Sequence, residues 1–289
     1  MQEKTTTYYR QKVDEVLEYI QNHLSDDLNI KTLAENSGIS FFHFHRIIQA
    51  VIGEPLGNYI NKARLETAVK LIRYSGESFL SIAERIGYND LSSFSKAFSK
   101  EFGLSPQEYR ANSNIMLNTH IDYRIGNNGC LTSDLKHKII VVPDKQVVFI
   151  RIKGEYGNAE TYEAWDELVG FAMKNRLLTW KPEFLTYYFG DPDVIGFENC
   201  MSDFCIVTKK KVAESGRIAN KVIAGGKYAV FRFKGPYERL WDVYRAIYGE
   251  WLINSNVELR DEPAFEKYLN YSDHIKPENL LTEIYLPIK

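Results

Sequence analysis

The chain has 289 residues, 44% hydrophobic and 26% charged, with a formal net charge of −2. That length exceeds one ordinary small domain and predicts two, with ample apolar content for packed cores. No apolar run approaches the roughly 20 residues of a membrane-crossing helix, and the start, MQEKTTTYYRQK, lacks the basic-then-apolar order of a secretory leader. The three cysteines, Cys130, Cys200 and Cys205, have no paired metal-ligand spacing, so reduced thiols in a cytoplasmic protein without membrane attachment are expected.

Taken in chain order, an amphipathic helix is predicted from about Tyr9 to His23, with Val13, Val16, Leu17 and Ile20 on one face. Asn29 or Asp27 can cap a short helix that Gly38 ends, and Ser40 can start the next, to about Ile52. Pro55 then opens a long helix to about Tyr74. The pattern of residues 29–59 returns at 79–109, where Leu33-Ala34-Glu35 matches Ile82-Ala83-Glu84 and Gly38 matches Gly87. One residue later in register, Phe44 matches Phe94, Arg46 matches Lys96, Gly53 matches Gly103 and Tyr59 matches Tyr109. A short helix, a glycine turn and a second helix, present twice, are two helix-turn-helix units. The 19-residue helix between them spans about 29 Å, close to the roughly 34 Å of one duplex turn. One chain can therefore address two successive major grooves, and a monomer suffices. Residues 1–112 hold 13 basic against 14 acidic residues, which argues mildly against nucleic-acid binding. Between Ser40 and Gly53, however, no acid occurs, while His43, His45 and Arg46 cluster there and Lys62 and Arg64 follow.

These motifs resemble the DNA-binding domain of the AraC/XylS regulators. The second copy carries most of the likeness through Ile82-Ala83, Gly87-Tyr88, Phe94, Phe98, Gly103-Leu104-Ser105-Pro106 and Tyr109-Arg110. The resemblance implies double-stranded DNA as partner and bases contacted from the second helix of each unit. By position these residues are Phe42, His45 and Arg46, then Leu91, Ser92, Ser93 and Lys96. Arg46 suits guanine and Phe42 a thymine methyl, whereas Lys96 and the serines suit phosphate or modest base contact. Phe44 and Phe94 read as core. His43 and His45 are two apart on a helix and face different ways, so no metal pair is expected.

Residues 113–136 are rich in Asn, Ser and Gly without periodicity, which marks a linker, with Ile115, Met116 and Leu117 free to pack on either domain. Beyond it, Arg151–Tyr156 (RIKGEY) returns as Arg232–Tyr237 (RFKGPY) after 81 residues, and the same shift lays Phe184–Tyr187 over Phe265–Tyr268. Strands precede each run. Helices with tryptophan follow at Glu160–Asn175 and Tyr237–Asn254, then strands near 184–190 and 203–211, and near 264–271 and 281–288. The lysines Lys209, Lys210 and Lys211 fall at a strand end. The fold expected is thus an α-helical first domain, 1–112, of two helix-turn-helix units joined by a long helix. An α+β second domain, 137–289, follows, built from two pseudo-symmetric strand-helix-strand-strand repeats.

This second half resembles the GyrI-like effector-binding domains, through GGKYAVFRFKGPY, FEKYLN and TEIYLPI. The resemblance implies a small-molecule effector and places a pocket glutamate at Glu266, with Tyr268, Trp165, Tyr187 and Tyr285 as walls. An acid beside aromatic faces suits a lipophilic cation. The reading is a transcriptional activator that answers a small cationic amphipathic effector and works with RNA polymerase, using no cofactor and no catalysis. Two others stay open: a hydrolase of electrophilic compounds using Glu266 and a tyrosine as base and orienting group, and an interaction module without ligand.

Overall fold

The computed structural model describes residues 8–112, 115, 135–155, 157–189, 197–270 and 275–289. Most of the expected linker, including Met116, Leu117 and Cys130, lies outside them, as does Tyr156. Two compact units are present: residues 1–39 with 47–127, and residues 40–46 with 128–289.

The helices are α1 (Tyr8–Asn22), α2 (Ile30–Ser37), α3 (Phe41–Ile52), α4 (Leu56–Tyr74), α5 (Phe79–Arg85), α6 (Leu91–Phe102) and α7 (Pro106–Ala111). The starts of α2, α5, α6 and α7 are capped by side chains, which satisfy amides that have no partner inside the helix. Asn29 accepts from the Lys31 amide, Ser78 from Ser81 and Asp90 from Ser93, and Ser105 with Glu108 closes a reciprocal capping box. Around the second helix-turn-helix, Leu65, Ala68 and Ile72 of α4 pack against Ile82, Ala83, Phe94, Phe98 and Tyr109, and Ile115 joins this core. Gly87 is required twice over. Its φ is +84°, and a Cβ there would land on the Leu24 carbonyl and the Arg64 guanidinium. Arg64 donates from Nε to Leu24 O at 3.0 Å and from its terminal nitrogen to Asp26 O at 3.1 Å. Lys62 pairs with Glu54 at 2.7 Å. The basic stripe expected from Lys62 and Arg64 is therefore largely committed to internal contacts.

The α+β part is one eight-stranded antiparallel sheet in the order β1-β6-β8-β7-β3-β4-β2-β5. The strands are β1 (His137–Val142), β2 (Lys145–Lys153), β3 (Phe184–Phe189), β4 (Met201–Val207), β5 (Ile218–Ile223), β6 (Gly226–Lys234), β7 (Phe265–Tyr268) and β8 (Leu281–Ile288). The edge strands β1 and β5 add to the expected repeat, and each pairs with the opposite half, β1 with β6 and β5 with β2. The halves meet where β3 pairs with β7, Thr186 opposite Glu266. Arg151 pairs with Asp203, and Arg232 with Glu283. The repeat shift is thus 81 residues at Arg151/Arg232 but 80 at Asp203/Glu283 and Thr186/Glu266. The alignment of Leu185 with Glu266 expected from sequence is off by one: Leu185 faces Lys267, and Thr186 is the counterpart of Glu266. One residue is lost between the β2 and β3 equivalents, where strand register cannot be read from identity alone.

Helix α8 (Ala159–Lys174) packs Ala164, Leu168 and Ala172 on the sheet with Ile150, Ile152, Phe204 and Ile206. Its counterpart is broken. A 3-10 turn at Tyr237–Arg239 leads into α9 (Leu240–Ala246), which continues as a π-helical turn at Ile247–Leu252. On the opposite face, Asp203 is fully buried between Arg151, 2.6 Å from its Oδ1, and Lys221, 2.6 Å from its Oδ2, and Glu283 is paired with Arg232 at 2.7 Å. Lys209, Lys210 and Lys211 follow the end of β4 and are exposed. Cys200 and Cys205 are buried and not joined in a disulfide, and burial pushes the Cys205 thiol up to about 12.

Candidate functional site

Helix α6 turns Phe94 and Phe98 into the core and leaves Leu91, Ser92, Ser93 and Lys96 exposed. This is the split that a 3.6-residue period imposes on an amphipathic helix. The Ser93 hydroxyl is already engaged, donating to Asp90 at 2.7 Å. The two hydrogen bonds from Ser93 also hold the Asp90 carboxyl below its ordinary value. In α3, Phe44 is core, as expected, and Phe42 is exposed. His45 and Arg46 differ from the exposed face anticipated for them: His45 is 6% exposed and Arg46 half-buried.

The second unit, residues 40–46 and 128–289, encloses a cavity of about 770 Å³. Its floor is the middle of the sheet, where strand alternation points Phe184 and Tyr188 of β3, Phe204 of β4, and Glu266 and Tyr268 of β7 to the same face. Trp165 of α8 forms one wall, edge-on to Phe204 at 5.2 Å and to Phe184 at 5.7 Å. Trp241 and Tyr244 of α9 form the other, and Arg46 completes the lining. Trp165, Glu266 and Tyr268 are thus brought together as the sequence suggested. Tyr187 and Tyr285 are not. They lie one residue out of phase, on the opposite face, where Tyr187 packs against Phe265 at 5.1 Å and Tyr285 stacks on it at 4.6 Å. The aromatic lining residues missed from sequence are Tyr162, Phe184, Tyr188, Phe204, Tyr237, Trp241 and Tyr244. Alternation from Glu266 through its partner Thr186 points to Tyr188, and the helical spacing of Trp241 and Tyr244 puts those two on one face.

Glu266 is 2% exposed, and both its oxygens are engaged. Tyr244 donates to Oε1 at 3.2 Å and Tyr268 to Oε2 at 3.0 Å, while the Tyr188 hydroxyl lies 3.2 Å from that of Tyr268. Burial drives the Glu266 carboxyl up to about 7, against the pull of the Tyr268 and Tyr244 hydroxyls and of the Arg46 charge. Burial and the neighbouring carboxylate in turn push both phenols well above their ordinary value. The Arg46 guanidinium carbon sits 4.7 Å from the ring centre of Tyr244 and 6.0 Å from that of Tyr248. One turn earlier on α3, His43 Nδ1 lies 2.8 Å from the Tyr248 hydroxyl. An aromatic cavity with one buried acid at its floor is suited to taking up a flat or bulky apolar body that carries a positive charge.

Comparison with known proteins agrees with this architecture. Residues 135–289 match the GyrI-like small molecule binding domain, and residues 33–112 match a helix-turn-helix domain. The chain is 22% identical over 295 residues to the transcriptional regulator Rob of Salmonella typhimurium, covering 96% of this chain and 98% of that protein. It is 20% identical over 304 residues to the right origin-binding protein of Escherichia coli K12, with the same coverage. The regulatory protein SoxS of Salmonella typhimurium is 32% identical over 102 residues, which is 35% of this chain and 95% of that one. The chain belongs to the GyrI-like small-molecule-binding family, with that domain carried behind an AraC-type tandem helix-turn-helix in the layout of Rob.

Proposed function

We propose that the protein is a DNA-binding transcription regulator, an activator, whose second domain senses a lipophilic cation. Residues 1–112 read duplex DNA through Phe42 and Arg46 of α3 and through Leu91, Ser92, Ser93 and Lys96 of α6, whereas His45, 6% exposed, is too buried to reach a base edge. Residues 137–289 hold the effector, and 113–136 join them. RNA polymerase is the partner through which bound protein acts. The observation that carries the reading is Glu266, an acid buried at the floor of an aromatic cavity, at a position where the symmetric half has only Thr186. The fold does not need a carboxylate there, so its desolvation cost is accounted for by a ligand that compensates the charge. Full-length relatives named as a transcriptional regulator and as an origin-binding protein support the DNA-reading half.

Two measurements test the proposal. Genomic fragments are selected with purified full-length protein, and the best is titrated with salt. A single asymmetric site of about two helical turns, with affinity falling steeply as salt rises, is expected. No preference over random DNA contradicts the DNA reading. Calorimetric titration with tetraphenylphosphonium, a lipophilic monocation, should show binding that Glu266→Gln weakens. Equal binding contradicts the effector reading. A hydrolytic role draws on the same geometry, because an acid near 7 beside tyrosine hydroxyls can act as a base. An ester recovered intact after long incubation with the protein rejects it.

A further inference from the structure

The cavity is built to neutralise a cation, and among the described residues that line it Arg46 is the one with a positive charge. Its guanidinium lies over the face of Tyr244, whose hydroxyl donates to Glu266. A planar cation on an aromatic face beside a buried carboxylate is the arrangement expected of a bound lipophilic cation. The helix-turn-helix fold does not require this of Arg46, because its counterpart in the second copy, Lys96, is exposed. Arg46 is also the residue of α3 best suited to a guanine edge, and one guanidinium cannot occupy both places.

We propose that Arg46 is a built-in occupant of the effector cavity: it holds the cation subsite when no effector is bound, and a cationic effector displaces it and releases it for DNA. This rests on reading the cavity as a cation site. By linkage, effector and Arg46 exclude one another, so effector binding and base reading by Arg46 favour each other.

The test uses the full-length chain, calorimetry and tetraphenylphosphonium as probe. Removing a resident competitor frees the binding-competent state. Arg46→Ala and Arg46→Met, the second keeping the aliphatic stem so that lost packing is separated from lost charge, should each bind the probe roughly tenfold tighter than wild type. Wild-type or weaker affinity in both variants, with binding lost in Glu266→Gln, overturns the competitor role and leaves the cation site standing. Equal binding by wild type, Arg46→Met and Glu266→Gln, or no binding by any, overturns the cation reading and the competitor role together.

Discussion

Glu266 is buried at the floor of the second domain's cavity, and its ionisation is expected to make that domain's stability depend on pH. Its carboxyl is raised from the ordinary glutamate value near 4.5 to about 7 by burial, so the folded state holds a proton that the unfolded chain has released. Stability from this group is therefore fully present below about pH 4.5 and is lost as pH rises through about 7. The loss is about 3 kcal/mol. Glu266→Gln should consequently be no less stable than wild type at pH 8, while the wild type gains on it toward pH 5. Urea midpoints at the two pH values decide the matter, and parallel midpoints would deny the raised carboxyl. On the proposed function the same ionisation controls binding, so tetraphenylphosphonium affinity should climb between pH 6 and pH 8 in wild type and stay flat in Glu266→Gln. Tyr268→Phe deletes one hydroxyl that stabilises the carboxylate, so the rise should move to higher pH. A profile that stays in place or moves down would remove Tyr268 from that role.

At the scale of single elements, the two helix-turn-helix glycines look alike in sequence and differ in the structure. Gly38 has φ +68° with open space where a Cβ would go, whereas Gly87, at φ +84°, is pressed against Leu24 and Arg64. Gly38→Ala should cost on the order of 1 kcal/mol from backbone strain alone. Gly87→Ala should cost distinctly more, because it also drives the Arg64 guanidinium off its two carbonyls. Equal denaturant midpoints for the two variants would contradict the packing of α4 on that turn. The exposed face of α6 makes a second element-level forecast. Lys96→Ala should weaken DNA binding similarly across sequences and lower the salt slope by about 1, as a phosphate contact does. A change confined to one base position would instead make Lys96 a base reader. The second repeat's helix was legible as a helix, but its division into a 3-10 turn, α9 and a π turn was not. Hydrophobic spacing barely distinguishes these windings over so few residues.

For the whole molecule, the proposals combine into one expectation about coupling. Arg46→Ala should cost about 1–3 kcal/mol in specific DNA binding. Saturating tetraphenylphosphonium should strengthen wild-type binding to the selected fragment while leaving the Arg46→Ala protein unchanged. Gel-shift titrations with and without the cation measure this. Equal strengthening of both proteins would place the coupling in some group other than Arg46. Among the described residues no helix is long and apolar enough to cross a membrane.

By itself the sequence determined the tandem helix-turn-helix, the 19-residue helix between its halves, the symmetric α+β domain and Glu266 as a residue of its cavity. Each is written in local signals: 3.6-residue and two-residue periodicities, capping residues, glycine turns and an internal repeat. Tertiary structure decided which tyrosines surround the acid, because side-chain parity flips with every residue of strand register, and the lost residue between the β2 and β3 equivalents is invisible until β3 pairs with β7. It also decided the place of Arg46, 4.7 Å above Tyr244. No local pattern links residues about 200 positions apart in the chain. Their contact exists because folding brings a guanidinium, a phenol and a buried carboxylate into one cavity, where low polarity strengthens the attraction among them.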